Sequence, residues 1–442
     1  MNTPIYDFLT AYRDKGFSRM HMPGHKGASF LGGESLDLTE VSGADSLYEA
    51  DGIILESERN AGELFGAKTY YSTGGSSLSI RAMLYLARVN STGVRLIAGR
   101  NAHKSLVQSA ALLGLEIDWL YGEGDGYLSR VIDASEVESA IRRGNKPVAV
   151  YITSPDYLGR SSDISEIADV CHTHGIPLLV DNAHGAYLKF LDKSRHPIDL
   201  GADMCADSAH KTLPALTGAS YLHVAPDDKF GFSKRVREAL SLFGSTSPSY
   251  LIMASLDLTN GYIADGYRER LSAFIKKLDV IRLKLREKGY NLIDTTDTDP
   301  LKITVKASEL GISGVSLGEI LRLGGVECEF SDRDNLVLML TPENTDSELE
   351  RLADILLSVE RRVPLIRHVA ENFKPTVKMS IRDAVMSKSV NLPVCEAKGR
   401  VLATASVPCP PAVPILVPGE VVDERAISLY SYYGIETLSV VE

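Results

Sequence analysis

The stretch ADSAHKTLPALTGAS, residues 206–220, sets a histidine and a lysine side by side between two short apolar runs. Ser208, Ala209 and Thr212 are small and leave room around the Lys211 amine, and Pro214 and Gly218 punctuate the remainder of the stretch. The runs on either side, ADMCAD and GASYLHV, read as strands. Lys211 is therefore expected on a loop leading from one strand into the next. A solvated surface lysine needs no such setting. A lysine in a crowded, partly dry pocket loses proton affinity and becomes nucleophilic.

Outward from this stretch, residues 66–226 alternate short apolar runs with helical patterns. AKTYYST, VRLIAGR, KPVAVYIT and IPLLVD read as strands. SSLSIRAMLYLAR, KSLVQSAALLG and DISEIADVCHTHG read as helices, the last with Asp163 as N-cap and Gly175 as stop. Near-continuous apolar strands separated by helices imply an α/β fold with a mostly parallel sheet covered on both faces. Residues 250–290 read as long helices. After them LKITVKA, VECEF and NLVLMLT read as strands, and SLGEILRLGG and TDSELERLADILLSVERR as helices, of a smaller α/β unit. Dense proline over 391–420 predicts an extended, irregular C-terminal lobe.

The bulk numbers exclude several classes. A net charge of −11 argues against nucleic acid as a partner. No stretch reaches the apolar length of a membrane span, and MNTPIYDFLTAYRDKG reads as a short amphipathic helix rather than a signal peptide. The five cysteines, Cys171, Cys205, Cys328, Cys395 and Cys409, form no C-x-x-C pair, so neither a disulfide framework nor a metal site is expected. A reducing cytoplasm fits them.

In parallel sheets ligands sit beyond the carboxyl ends of the strands. The residues there are Gly74-Gly75-Ser76-Ser77, Asn101-Ala102-His103, Thr153-Ser154-Pro155, Asp181-Asn182-Ala183-His184 and Ser208-Ala209-His210-Lys211. Glycines and serines opening a helix make an anion site, although most such starts are simple caps. A carboxylate ending an apolar strand, as Asp181 does, needs a partner; a buried salt bridge is the ordinary one and a protonated ring nitrogen the functional one. His103 can lie against an aromatic ring or be a satisfied loop histidine. Phosphate cradle, stacking ring, carboxylate and imine-forming lysine are together what pyridoxal 5′-phosphate requires.

The motifs HMPGHKG, GRNAHKSLVQSA, VYITSPDYLGRSSDI, LLVDNAHGA, DSAHKTLPALTGAS, STSPSYLIMASLD and VPILVPGE make the chain resemble the short form of the Orn/Lys/Arg decarboxylase family, from about residue 20 to about residue 425. The resemblance implies an aspartate-aminotransferase-like large domain, pyridoxal-phosphate fold type I, plus a smaller C-terminal α/β domain. It implies Lys211 as the Schiff-base lysine, Asp181 as the acid on the pyridine nitrogen and His103 as the stacking ring. Ser208 and His210 fall near the phosphate, Ser76 and Ser77 are its hydroxyl ligands, and Ala183 and His184 line the ring. Thr246 is implied as a phosphate contact from a second subunit, hence a homodimer with shared active sites. Departures are Gly74 where asparagine is common, Asn182 where an acid often follows the aspartate, and Gly218 where glutamine is usual. The chain then divides into an N-terminal segment (1–45), a large cofactor-binding domain (46–275), a small α/β domain (276–375) and a C-terminal lobe (376–442).

The expected activity is decarboxylation of a small-molecule basic amino acid, arginine or lysine ahead of ornithine, releasing CO2 and a polyamine-type amine in the cytoplasm. Lys211, or His210 or His103, would return the proton to Cα. Asp45, Glu49 and Glu420 are the acids expected near the substrate's distal cation. The alternatives are another fold type I reaction, an aminotransferase or lyase, needing a positioned arginine such as Arg333 or Arg400, and a cofactor-binding homologue without turnover that acts as a regulatory partner.

Overall fold

A computed structural model describes residues 1–124, 126–293, 297–366, 373–405 and 411–442. Seven strands build the principal sheet: β1 (Lys68–Ser72), β2 (Arg95–Gly99), β3 (Glu116–Leu120), β4 (Val150–Thr153), β5 (Leu178–Asp181), β6 (Met204–Asp207) and β7 (Ser220–Val224). Their order is β1-β7-β6-β5-β4-β2-β3. By Cα proximity the chain forms two compact units, Met1–Thr92 with Ile164–Leu271, and Gly93–Asp163 with Ser272–Glu442.

In the first unit β5 and β6 run parallel, with Asp181 opposite Ala206. β7 runs antiparallel to both β6 and β1. The carboxyl ends of β1, β5 and β6 therefore share one edge. All residues of β5, β6 and β7 are buried, as strands covered on both faces must be. Helix Gly75–Val89 turns Leu78, Ala82, Met83 and Leu86 inward at helical spacing. Helix Ile53–Phe65 ends at Gly66 in the left-handed conformation. The long helices expected over 250–290 are Tyr250–Ala264 and Tyr267–Glu287.

In the second unit β2 pairs in parallel with β3 and β4. β3 was not foreseen: its Glu116 and Asp118 interrupt the apolar signal. A three-stranded sheet follows, β8 (Lys302–Val305), β9 (Phe330–Ser331) and β10 (Leu336–Met339), in the order β8-β10-β9. The strand expected at VECEF is corrected: only its last residue, Phe330, with Ser331 forms β9 against β10, Glu327 and Glu329 before them being exposed. In the C-terminal lobe the described residues 397–405 and 411–420 of the proline-dense stretch are irregular, as expected, and regular elements flank them. β11 (Ser389–Pro393) pairs antiparallel with β12 (Thr437–Val441), and helix Glu424–Tyr432 buries Ala426, Leu429 and Tyr430 against Leu402, Leu416, Val422 and Val440. Cys409 and the rest of 406–410 in the proline-dense stretch lie outside the described residues. Among the described residues no helix is long and apolar enough to cross a membrane.

Candidate active site

Three strand ends of the first unit come together through hydrogen bonds. Beyond β1, Gly75 adopts φ +68° and opens a helix. Its N–H donates to the carbonyl of Gly218 at 2.8 Å. Gly218 itself lies at φ +97°, a conformation open to glycine and strained for most other residues. The Ser208 hydroxyl donates to Ser76 Oγ at 2.7 Å, so the ends of β1 and β6 meet at a helix N-terminus, a setting that suits an anion. Ser77 follows, half-buried.

Lys211 is not on a plain loop. It occupies a single helical turn, Ala209–Thr212, begun by Ser208. The turn points His210 and Lys211 in different directions. Lys211 Nζ lies 2.9 Å from Nε2 of His184, which is itself 6% exposed. His210 Nδ1 lies 2.8 Å from the Ala219 carbonyl; because a carbonyl only accepts, Nδ1 carries the proton and Nε2 is left as the acceptor. Burial lowers the His210 pKa, favouring this neutral form. A Cβ placed on Gly75 would lie 4.0 Å from His210 Cε1, so His210 stands beside the glycine turn.

Asp181 is 2% exposed at the end of β5 and accepts the Ala183 N–H at 3.2 Å. The next residue, Asn182, is fully buried and donates through Nδ2 to Asp207 Oδ1 at 2.8 Å. Asp207 ends β6 and takes a second hydrogen bond from His196 Nε2 at 2.9 Å, with His223 Nε2 at 3.3 Å. Burial pushes the Asp207 carboxyl up, but the adjoining imidazoles outweigh it and hold the pKa well below the usual range. Asp207, His196 and His223 were missed in the sequence.

Residues 3–297 match the family described as Orn/Lys/Arg decarboxylase, major domain, and residues 365–437 its C-terminal domain. The chain belongs to the Orn/Lys/Arg decarboxylase family. It is 31% identical to an arginine decarboxylase of Halalkalibacterium halodurans over 96% of this chain and 92% of that one. An arginine decarboxylase of Bacillus subtilis is 29% identical with the same coverage. The constitutive lysine decarboxylase of Escherichia coli shares the fold, with a TM-score of 0.79 at 19% identity, covering 100% of this chain and 82% of that one. The large domain thus has the aspartate-aminotransferase-like architecture of fold type I, and the family's cofactor is pyridoxal 5′-phosphate.

The residues of this decarboxylase fit that cofactor. A helix N-terminus with the Ser76 and Ser208 hydroxyls suits a phosphate, an amine beside an imidazole suits an aldehyde, and a buried carboxylate suits a protonated ring nitrogen. His103, in the second unit, caps helix Lys104–Leu113, its Nδ1 accepting the Ser105 N–H at 3.1 Å. Thr246 is exposed in the first unit. Two of the three acids expected at the substrate's cation already have partners. Asp45 accepts the N–H groups of Gly52 and Ile54 at 2.9 Å each, ahead of helix Ile53–Phe65. Glu420 is 1% exposed and pairs with Arg100 at 3.0 Å. Glu49 is exposed.

Proposed function

We propose that this family member is an arginine decarboxylase, with lysine a second substrate and ornithine a third, working in the cytoplasm as a homodimer with shared active sites. The observation that carries the substrate choice is the match to arginine decarboxylases over 96% of this chain. In this reading Lys211 binds the cofactor's aldehyde, and His184 accepts a hydrogen bond from its amine, keeping an acceptor ready for the proton that the amine must lose. Asp181 holds a proton on the ring nitrogen. Ser76, Ser77, Ser208 and His210 bind the phosphate, and Thr246 does so from the partner subunit. His103 and Ala183 line the ring. The bound cofactor supplies an electron sink for the pair released when the Cα–carboxylate bond breaks. In this reading Lys211 returns the proton to Cα, a choice supported over His210 by the position of His210 beside the glycine turn.

Release of CO2 from arginine, lysine, ornithine and norleucine by the purified protein tests the reading. A buried acid that loses its cation costs a large factor in rate, so kcat/KM for arginine should exceed that for norleucine by at least about a hundredfold. Equal use of norleucine would refute a basic substrate while leaving the cofactor site standing.

A further inference from the structure

Asn182 and Asp207 meet in the interior of the first unit, and each adjoins a residue of the candidate site: Asn182 follows Asp181, and Asp207 precedes Ser208. Successive side chains of an extended chain face opposite sides. Whatever fixes the inward-facing residue of each pair therefore aims its outward-facing neighbour. Asp207 is held on its far side as well, by His196, while Nδ1 of His223 lies 2.8 Å from the Thr69 hydroxyl of β1. Phe65 packs on both imidazoles, with ring centroids 5.5 Å and 4.5 Å away. Asn182, His196, Asp207 and His223 are all fully buried, so water offers no substitute partner if one is lost.

We propose that the Asn182–Asp207 hydrogen bond is a positioning device that sets the facing of Asp181 and of the Ser208–Lys211 turn toward the cofactor. The proposal rests on the assignment of this site to pyridoxal phosphate. The bond has a direction: Oδ1 of Asp207 takes the Asn182 amide and Oδ2 takes His196. Asn182→Asp sets two carboxylates against each other in the interior. In the double variant N182D/D207N, the amide at 207 donates to the carboxylate at 182 while its oxygen still accepts from His196. Donor and acceptor are exchanged and the bond is restored.

The test measures three things on the full-length protein: the dissociation constant of pyridoxal phosphate from the apo form, the pH titration of the bound cofactor's visible absorbance, and the thermal midpoint. Asn182→Asp should weaken cofactor binding at least about tenfold and move the absorbance titration, and the double variant should return both to within about threefold of wild type. A thermal midpoint that falls while binding and titration stay at wild-type values overturns the proposal, as does a double variant that recovers nothing. Should Asn182→Asp not fold, Asn182→Ala, which leaves Asp207 its His196 partner, must show the same loss of affinity; unchanged affinity overturns the proposal. One equivalent of zinc in the wild type, absent from His196→Ala, overturns it by making His196, Asp207 and His223 a metal centre. A wild-type protein that binds no pyridoxal phosphate refutes the underlying site assignment instead.

Discussion

Asp181 has almost no water around it, so its charge must be matched from within or by what it binds. Replacing it with asparagine keeps shape and hydrogen-bonding capacity but removes the charge that, in the proposed reading, holds a proton on the ring nitrogen. Asp181→Asn should retain the cofactor and lose about a hundredfold in kcat, equivalent to about 3 kcal/mol of transition-state stabilisation; a near-normal kcat would make the residue structural. At this scale the sequence singled out the polar residues that follow apolar strands, and the structure brings Lys211 to His184 and Ser208 to Ser76. Asp207 is the same kind of residue in the same kind of place, a carboxylate closing an apolar strand, and it went unread. Its partners explain why. His196 lies in the loop ahead of β6, and His223 faces Asp207 only because β7 folds back beside β6. No local spacing announces that meeting.

Among the elements, strands buried on both faces and helices with a regular apolar stripe were read correctly, because burial itself writes the pattern. β3 escaped because an edge strand carries charges that imitate a loop, whereas the strand read at VECEF was too long, only Phe330 of it lying in β9. The helical turn at Lys211 escaped for the opposite reason: four residues are too few to show a period. The segment after residue 411 depends on one ion pair. Arg100, just past β2, donates to the carbonyls of Pro414 and Ile415 and to Glu420, whose Oε2 also accepts the Val417 N–H. Glu420→Gln keeps the hydrogen bonds in outline and leaves the buried Arg100 charge unmatched. Its cost should be about 2–4 kcal/mol by denaturant titration. A change below about 0.5 kcal/mol would mean that backbone carbonyls alone satisfy Arg100.

For the whole molecule, the exposed Thr246 and the half-buried Lys211 occupy one unit of the chain but, in the proposed dimer, serve different sites. Mixing inactive Lys211→Ala with inactive Thr246→Val decides the matter: a mixed dimer has one site with both residues native, so activity should partly return. Exchange of subunits without recovery would restrict each site to one chain. The antiparallel course of β7 has a further consequence, concerning the order of events in synthesis. The connection from Ser208 to Ala219 joins strands that are neighbours both along the chain and across the sheet, so the loop bearing Lys211 is short to close and inexpensive in entropy. The first unit is complete at Leu271. A chain emerging from the ribosome therefore has Lys211, its buried acid and its glycine turn in hand while the C-terminal lobe is still to be made, and in the proposed reading cofactor capture at that stage would stabilise the nascent half by mass action.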